Sequence, residues 1–211
     1  MNKSNIKKIY HSIVPQIIRR YVSIKRQDSF LTNIHSNILN YYDVKKTNPI
    51  ENKEVDSVIS FLRKNPLHMF PYDFIYKYDS GKINVFRDSI SELNYVYLGN
   101  QKLFYPEGWS SENIRYSHSF SCLEQDENSP HSYQDESIKY GPNDVVVDAG
   151  SAEGNFSLEI VEKVKKVYLF ECSDGWQKPL KKTFEPWKDK VEIIPLKLSS
   201  IEDSSSTTLD R

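Results

Sequence analysis

Glycine and cysteine are scarce in this sequence, which has seven glycines and two cysteines among 211 residues. Cys122 and Cys172 lie far apart, so they predict neither a disulfide framework nor a metal site, and a reducing cytoplasm is the expected location. No segment approaches the roughly 20 consecutive apolar residues that a transmembrane helix needs. The net charge of −1 excludes a general attraction to nucleic acid. With 38% hydrophobic residues, the chain has enough apolar side chains to bury a core.

Acidic residues are missing from the first 27 positions, which hold seven Lys and Arg. Apolar residues recur there at helical spacing, at Ile6, Ile9, Ile13, Ile17 and Tyr21. Two interpretations stay open: a helix in peripheral contact with an anionic membrane surface, and a terminal helix packed on the domain with a solvated basic face. The second is favoured, because each lysine near a charged leaflet contributes only about 1 kcal/mol.

The first 70 residues predict a helical region. Apolar positions at helical spacing indicate one helix around 30–39 and another around 55–62, which Asn65-Pro66 closes. The first 70 residues resemble no specific family. We therefore treat 1–70 as a separate part of the chain without an assigned role.

Residues 71–139 predict a small β unit followed by a loop. The segment 73–88 reads as two short strands around an Asp-Ser-Gly-Lys turn. The segment 95–106 reads as a hairpin around Gly99-Asn100, since both residue types tolerate the backbone of tight turns. Residues 107–135 are polar with few periodic apolar positions, so we expect mostly loop there, with at most one helical turn.

From residue 140 the pattern alternates between strands and helices. The predicted elements are a strand at 144–148 buried on both faces, a helix at 155–165, a strand at 166–171, a helix at 174–184 and a strand at 190–199. This β-α-β-α-β order is typical of a doubly wound α/β fold with a parallel sheet. The region 140–211 is thus predicted to be the ligand-binding part of the chain.

The first strand runs into a glycine turn, "VVVDAGSAEGNFS" at 145–157. In a parallel sheet the ligand lies beyond the carboxyl ends of the strands, where glycine allows close approach of the backbone. The pattern Asp148-x-Gly150-x-x-x-Gly154 has neither a third glycine nor a lysine, which argues against a pyrophosphate or triphosphate. It fits a smaller nucleoside with a charged tail. Asp148 and Glu153 suit a cationic group, and Glu171 at the end of the next strand suits a ribose.

Three ordered segments resemble the FkbM family of class I methyltransferases: "DVVVDAGSAEGNFSLEIVEKVKKVYLFE", "LEQDENSPHSY" at 123–133 and "STTLD" at 206–210. The resemblance implies a Rossmann-like methyltransferase sheet that binds S-adenosylmethionine. It also implies transfer of a methyl group to an acceptor, commonly a sugar hydroxyl of a glycan or a secondary metabolite. Such a transfer is an in-line displacement that needs alignment, exclusion of water and a base for the hydroxyl.

The resemblance also implies roles for single residues. The loop glycines would line the cofactor, and Asp148 would order the loop and approach the methionine amino group. Glu171 would bind the ribose, and Cys172 would contact the adenosine through its backbone. The implied cofactor-binding set is Asp148, Gly150, Ser151, Ala152, Glu153, Gly154, Asn155, Glu171 and Cys172.

A polar stretch upstream contains Glu124, Gln125, His131 and Tyr133. One interpretation places this group over the cofactor or against the acceptor, with His131 as a candidate base. The other is a loop held by local turn hydrogen bonds, since Asn128-Ser129-Pro130 favours a turn by itself. Trp176 and Trp187 are expected to pack rather than to bind the acceptor.

The sequence departs from the family pattern after "TTLD", where the family continues into a strand carrying Lys-x-Asp-x-Glu-Gly. We therefore expect an incomplete sheet, a lost acceptor side and little methyl transfer by the 211 residues alone. Two functions stay open: a methyltransferase, and a non-catalytic remnant or interaction protein that retains a nucleoside-binding loop. An NAD-dependent oxidoreductase is a third, which the glycine spacing disfavours.

Overall fold

The computed structural model describes residues 16–45, 53–134 and 138–209, with side chains in the first helix from residue 27 to residue 43. The chain divides into two compact units, Met1–Ile75 and Tyr76–Arg211. Of the predicted basic N-terminal helix, residues 1–15 lie outside the described part. None of the described helices has a segment both long enough and apolar enough to cross a bilayer.

The described part of the first unit contains two helices, α1 at Gln16–Lys45 and α2 at Lys53–Leu62. The segment 30–39 was predicted as a helix of its own, but it belongs to the single 30-residue helix α1. The helices are joined by a hydrogen bond between Nε2 of His35 and the carbonyl oxygen of Leu62, at 2.7 Å. The buried apolar residues described in this unit are Ile59, Phe61, Leu62, Phe70 and Phe74.

The second unit opens with 3₁₀ turns and an antiparallel sheet. The prediction of two strands in 73–88 is wrong: Asp73–Lys77 and Ser80–Lys82 are 3₁₀ turns, and only β1 at Phe86–Arg87 is a strand. The side chain of Asp79 accepts a hydrogen bond from Gly81 N at 2.9 Å and closes the second turn locally.

The predicted hairpin at 95–106 is confirmed. Strand β2 at Asn94–Leu98 pairs antiparallel with β3 at Gln101–Phe104, with Val96 opposite Leu103. The turn contains Gly99 in the left-handed region at φ +59°. Strand β1 pairs with the other side of β2, which completes the three-stranded sheet.

The segment 107–135 was predicted to be mostly loop, and that prediction is wrong. It contains the 14-residue helix α3 at Ser111–Glu124. Ser110 caps the helix by accepting a hydrogen bond from Asn113 N at 3.1 Å. The buried face consists of Ile114, His118 and Leu123, so one of its three buried positions is polar by type. A search for apolar residues at helical spacing therefore misses one of the three buried positions of this helix.

A parallel sheet of three strands in the order β4-β5-β6 forms the other half of this unit. The elements are β4 at Val145–Ala149, α4 at Asn155–Ile160, β5 at Lys166–Phe170, α5 at Asp174–Thr183 and β6 at Val191–Ile194. The predicted β-α-β-α-β order is thus confirmed, and the chain is a mixed α/β protein. Val167 and Leu169 of the central strand are fully buried.

Strand β4 was predicted to be buried on both faces, and this is wrong. Val146 packs against the core, whereas Val145 and Val147 are 53% and 42% exposed. Alternate side chains of a strand point to opposite faces, so Val145 and Val147 share the face that keeps its contact with solvent.

Two predicted elements are longer than the elements observed. Helix α4 ends at Ile160 rather than at residue 165. The predicted strand at 190–199 divides into β6 and β7 at Lys197–Leu198, and β7 pairs in parallel with β8 at Ser206–Thr207 in a separate sheet. Pro195 lies between β6 and β7 and has no N–H to donate to a continuous ladder.

One hydrophobic core joins the two larger sheets of the second unit. It includes Val96 and Leu103 from the hairpin, Ile114 from α3, and Val167 and Leu180 from the parallel half. A hydrogen bond from Phe104 N to Oγ1 of Thr183, at 3.0 Å, ties β3 to α5. This packing holds α3 beside the loop that follows β4.

Candidate functional site

A cleft of about 200 Å³ opens at the carboxyl end of β4. Its lining residues are Ser121, Glu124, Gln125, Tyr133, Asp148, Ala149, Gly150, Ser151, Ala152, Glu153, Asn155 and Phe156. The structure thus brings together two groups that the sequence suggested separately: the glycine loop and part of the polar stretch upstream. The position agrees with the rule that ligands of parallel sheets bind beyond the carboxyl ends of the strands.

The loop from Gly150 to Gly154 is held tightly against strand β5. The N–H groups of Gly150 and Ser151 both donate to the carbonyl oxygen of Phe170, at 2.8 and 3.2 Å. Gly150 has a φ of +79°, and a Cβ built on it would meet no atom within 4 Å. Ala152 has a φ of +44°, which is strained for a residue with a side chain. The loop therefore keeps an uncommon backbone shape beside open space.

Gly154 packs against the hydrophobic core. Its φ is +76°, and a Cβ there would lie 2.8 Å from Cε2 of Phe184 and 3.1 Å from Cδ2 of Leu180. The family resemblance implied that this glycine lines the cofactor, but it is absent from the lining of the cleft and faces the core. The missing side chain lets the loop approach helix α5.

Asp148 ends β4 with its carboxylate directed toward helix α4. Its Oδ2 accepts a hydrogen bond from Oγ of Ser157 at 2.6 Å. Burial raises the pKa of Asp148, and the negative charge of Glu171 raises it further, although the bond from Ser157 lowers it. The carboxylate is therefore fixed in position but has few favourable charges around it.

Glu153 is a second buried acid in the same cleft, and its side chain reaches across to helix α3. Oγ of Ser121 donates a hydrogen bond to its Oε1. Burial raises the pKa of Glu153, and the charges of Glu124 and Asp148 act in the same direction. Among the described residues, three acids and no lysine or arginine line the cleft, which favours a ligand that carries positive charge.

Two polar atoms at the cleft have no hydrogen-bond partner among the described residues: Oγ of Ser151 and Oδ1 of Asn155. Ser151 is 8% exposed and Asn155 is 6% exposed. The amide nitrogen of Asn155 donates to Oε1 of Glu159 at 3.4 Å, which leaves its oxygen available. Because buried polar atoms in folded proteins nearly always have partners, these two atoms are available to a water molecule or to a polar ligand.

Glu171 binds the loop rather than lining the cleft. Its Oε2 accepts a hydrogen bond from Ala152 N at 3.0 Å, and its Oε1 accepts one from Ser173 N at 2.7 Å. Each oxygen retains one acceptor site, so the ribose role stays a prediction. Cys172 is exposed and also lies outside the lining of the cleft.

His131, the candidate base, lies outside the cleft. Its side chain is half exposed, and Nδ1 lies 3.5 Å from Oε1 of Glu124. Gln125 and Tyr133 do line the cleft; Tyr133 N donates to Oε1 of Gln125, and the ring of Tyr133 packs edge-on against Phe156. The upstream group therefore reaches the cleft through three of its four predicted members.

Three cleft residues were outside the predicted sets: Ala149 and Phe156, which flank the predicted loop, and Ser121, which is remote from it in the sequence. Ser121 lies on a helix that was predicted as loop, and a serine in a polar stretch carries no signal of its own. Trp176, in contrast, packs as expected, with its ring 6.0 Å from Tyr105 and 5.4 Å from Trp109. Trp187 packs against Phe184.

Among residues 16–45, 53–134 and 138–209 there is no group of three or more His, Cys, Asp and Glu side chains arranged to hold a metal ion. Comparison with models of known protein families finds none that matches the chain, and a search of curated proteins finds no significant match. The assignment of a function therefore depends on the motif and on the geometry of the cleft.

Proposed function

We propose that the cleft binds S-adenosylmethionine and that the chain belongs to a methyltransferase of the FkbM type, with a Rossmann-like sheet. The observation that carries the proposal is an acidic cleft with unpaired buried acceptors, which lies directly after the first strand of a parallel β-α-β-α-β unit. S-adenosylmethionine has both an ammonium and a sulfonium group. The reaction would form a bond between a hydroxyl oxygen and the methyl group and break the bond from that methyl to sulfur, so that the sulfonium becomes a neutral thioether and the hydroxyl proton passes to a base.

The donor and acceptor chemistry of the cleft fits such a ligand. Carboxylates accept hydrogen bonds and attract cations, while Oδ1 of Asn155 is an acceptor only. A phosphate would meet the charges of Glu124, Asp148 and Glu153, and the described lining has no lysine or arginine to offset them. These features support a cationic nucleoside and oppose a dinucleotide.

The size of the cleft suggests which part of the ligand it takes. At about 200 Å³ it is smaller than the roughly 300–1,000 Å³ of pockets that enclose a whole drug-sized molecule. We assign the cleft to the amino-acid end of S-adenosylmethionine. The nucleoside would extend toward the end of β5, where Glu171 lies.

Titration calorimetry with S-adenosylmethionine, S-adenosylhomocysteine and NAD tests the proposal. We expect both adenosyl ligands to bind and NAD to give no heat. Asp148→Asn should weaken binding at least tenfold, because it removes a buried charge but keeps an acceptor for Ser157. Asp189→Asn is the matched control, since Asp189 is exposed in the turn before β6 and distant in sequence from the cleft. Binding of NAD alone would overturn the proposal.

A transfer assay separates a methyltransferase from a binding module. The chain would be incubated with S-adenosylmethionine labelled in its methyl group and with glycan extracts, and label in the glycan fraction would be counted. Label above the level of the Asp148→Asn variant supports the enzyme. Tight binding of S-adenosylhomocysteine without any transfer would establish the binding role alone.

A further inference from the structure

We propose that Glu153 gives up one proton when a cationic ligand enters the cleft, so that ligand binding and proton release are coupled. The inference rests on the proposed function, because the cation is taken to be the adenosyl ligand. It goes further by naming the residue that makes binding depend on pH.

The carboxyl group of Glu153 is almost fully enclosed yet still borders the cleft. The residue is 9% exposed. Its donors are Oγ of Ser121 and its own backbone N–H, although a carboxylate has about four acceptor positions. An enclosed carboxylate with so few donors has lost much of its hydration without full compensation.

The titratable groups that face Glu153 do not stabilise its negative charge. Glu124 and Cys122 lie on α3, Asp148 lies at the end of β4, and Tyr105 follows β3. Burial raises the pKa of Cys122 to about 12 and that of Tyr105 further still, so both are neutral near pH 7. Two acids and two neutral groups surround the carboxyl. Hence Glu153 in the empty cleft keeps its proton to a higher pH than an exposed glutamate does.

Two other acids near the cleft, Asp148 and Glu159, are only partly buried, whereas Glu153 is buried. Asp148 accepts the short bond from Ser157, and its ordinary pKa is lower than that of a glutamate. Burial raises the pKa of Glu159, but the charge of Lys163 and the hydrogen bonds from Gln134 and Asn155 oppose that shift. Glu153 is therefore the acid that exchanges the proton.

A cation placed in the cleft makes the ionised form of Glu153 more favourable than the protonated form. An opposite charge within about 4–6 Å favours the ionised carboxylate. The O–H bond of the protonated Glu153 breaks, the proton passes to the buffer, and the new carboxylate pairs with the cation. Adenosyl ligands should therefore bind more tightly as the pH rises through the range in which the empty cleft holds the proton.

Calorimetry in pairs of buffers with different ionisation enthalpies counts the released protons. We expect S-adenosylmethionine binding to release a fraction of a proton, and this fraction should pass through a maximum at a pH above 4.5, the ordinary pKa of a glutamate. Glu153→Gln, which keeps an oxygen for Ser121, should abolish that maximum and flatten the pH dependence of affinity. Glu162→Gln, at an exposed position after α4, is the matched control and should leave it unchanged.

A second variant tests the same coupling without removing the acid. Ser121→Ala deletes a donor to the ionised carboxylate, so the proton is held more firmly and the maximum should move to higher pH. An unchanged maximum in Ser121→Ala and in Glu153→Gln would assign the proton to another group and overturn the inference.

The results of these experiments distinguish a failure of the proton coupling from a failure of the proposed function. If S-adenosylmethionine binds without proton release at any pH tested, the coupling is wrong and the proposed function stands. If neither adenosyl ligand binds, the proposed function fails, and the inference fails with it.

Discussion

Gly154 lies against Phe184: a Cβ added to the glycine would be 2.8 Å from Cε2 of that ring. The second glycine of the loop is thus a packing residue, whereas Gly150 lies beside open space. The two positions share a positive φ, at +76° and +79°, and differ in what surrounds them. They form a matched pair for separating backbone strain from steric collision.

We predict that Gly154→Ala destabilises the fold more than Gly150→Ala. A positive φ costs an alanine about 1–2 kcal/mol at either position, and the collision with Phe184 adds about 1–3 kcal/mol at Gly154 alone. Urea denaturation of both variants gives the two free energies of unfolding. Equal losses would show that the Gly154 site relaxes without cost and that its packing role is wrong.

Glu171→Ala should destabilise the empty protein, because it removes the acceptor of Ala152 N and Ser173 N. We expect a loss of about 1–3 kcal/mol for each N–H that finds no substitute. Glu192→Ala is the comparison, since Glu192 pairs with Lys166 on the surface, and such pairs contribute about 0–1 kcal/mol. A loss in ligand affinity with unchanged unfolding would instead make Glu171 a ligand contact.

Glu153→Gln should stabilise the empty protein at neutral pH. Burial raises the pKa of Glu153 above its ordinary 4.5, so the folded state holds this proton more tightly than the unfolded state. The resulting stabilisation is present below pH 4.5 and is lost as the pH rises through the folded value. The melting temperature of the variant should exceed that of the wild type by a few degrees at pH 7, and the difference should shrink toward pH 4. A difference independent of pH would contradict this prediction.

Asp126→Asn should destabilise the second unit most strongly above pH 4. Burial alone would raise the pKa of Asp126, but hydrogen bonds from Tyr78, Asn128 and Lys77 lower it from 3.8 to about 2. The stabilisation is therefore present above pH 3.8 and is lost as the pH falls toward 2. We expect a cost of about 1–3 kcal/mol at pH 7 and a smaller one at pH 3, measured by urea denaturation. The comparison variant is Glu127→Gln, at an exposed neighbouring position.

The parts of the fold that could be predicted are those in which neighbouring residues carry the signal. The hairpin around Gly99 and the strand–helix order after residue 140 follow from turn residues and runs of β-branched side chains. Helix α3 could not be predicted in this way, because the core selects His118 as one of its buried positions. The turn predicted at 79–82 is present, but the strand expected before it is the 3₁₀ turn Asp73–Lys77.

In the candidate site, too, the residues that were predicted are those whose signal lies in neighbouring residues. Asp148 and the loop after it were predicted, because a strand that runs into glycines carries its own signal. Ser121 was missed, as its role depends on α3 packing beside a loop that is 32 residues further along the chain. His131 was placed too close to the cleft, since sequence proximity to Glu124 does not specify the direction of a side chain.

The sequence by itself determined the order of strands and helices, the turn after β4 and the acids that this turn carries. Those features depend on local propensity and on alternation along one segment. Only the tertiary structure decided which acid became buried, which glycine faces the core and which atoms were left unpaired. Burial and desolvation are properties of surfaces brought together from distant segments, so they arise only when α3, the loop and α5 pack into one core.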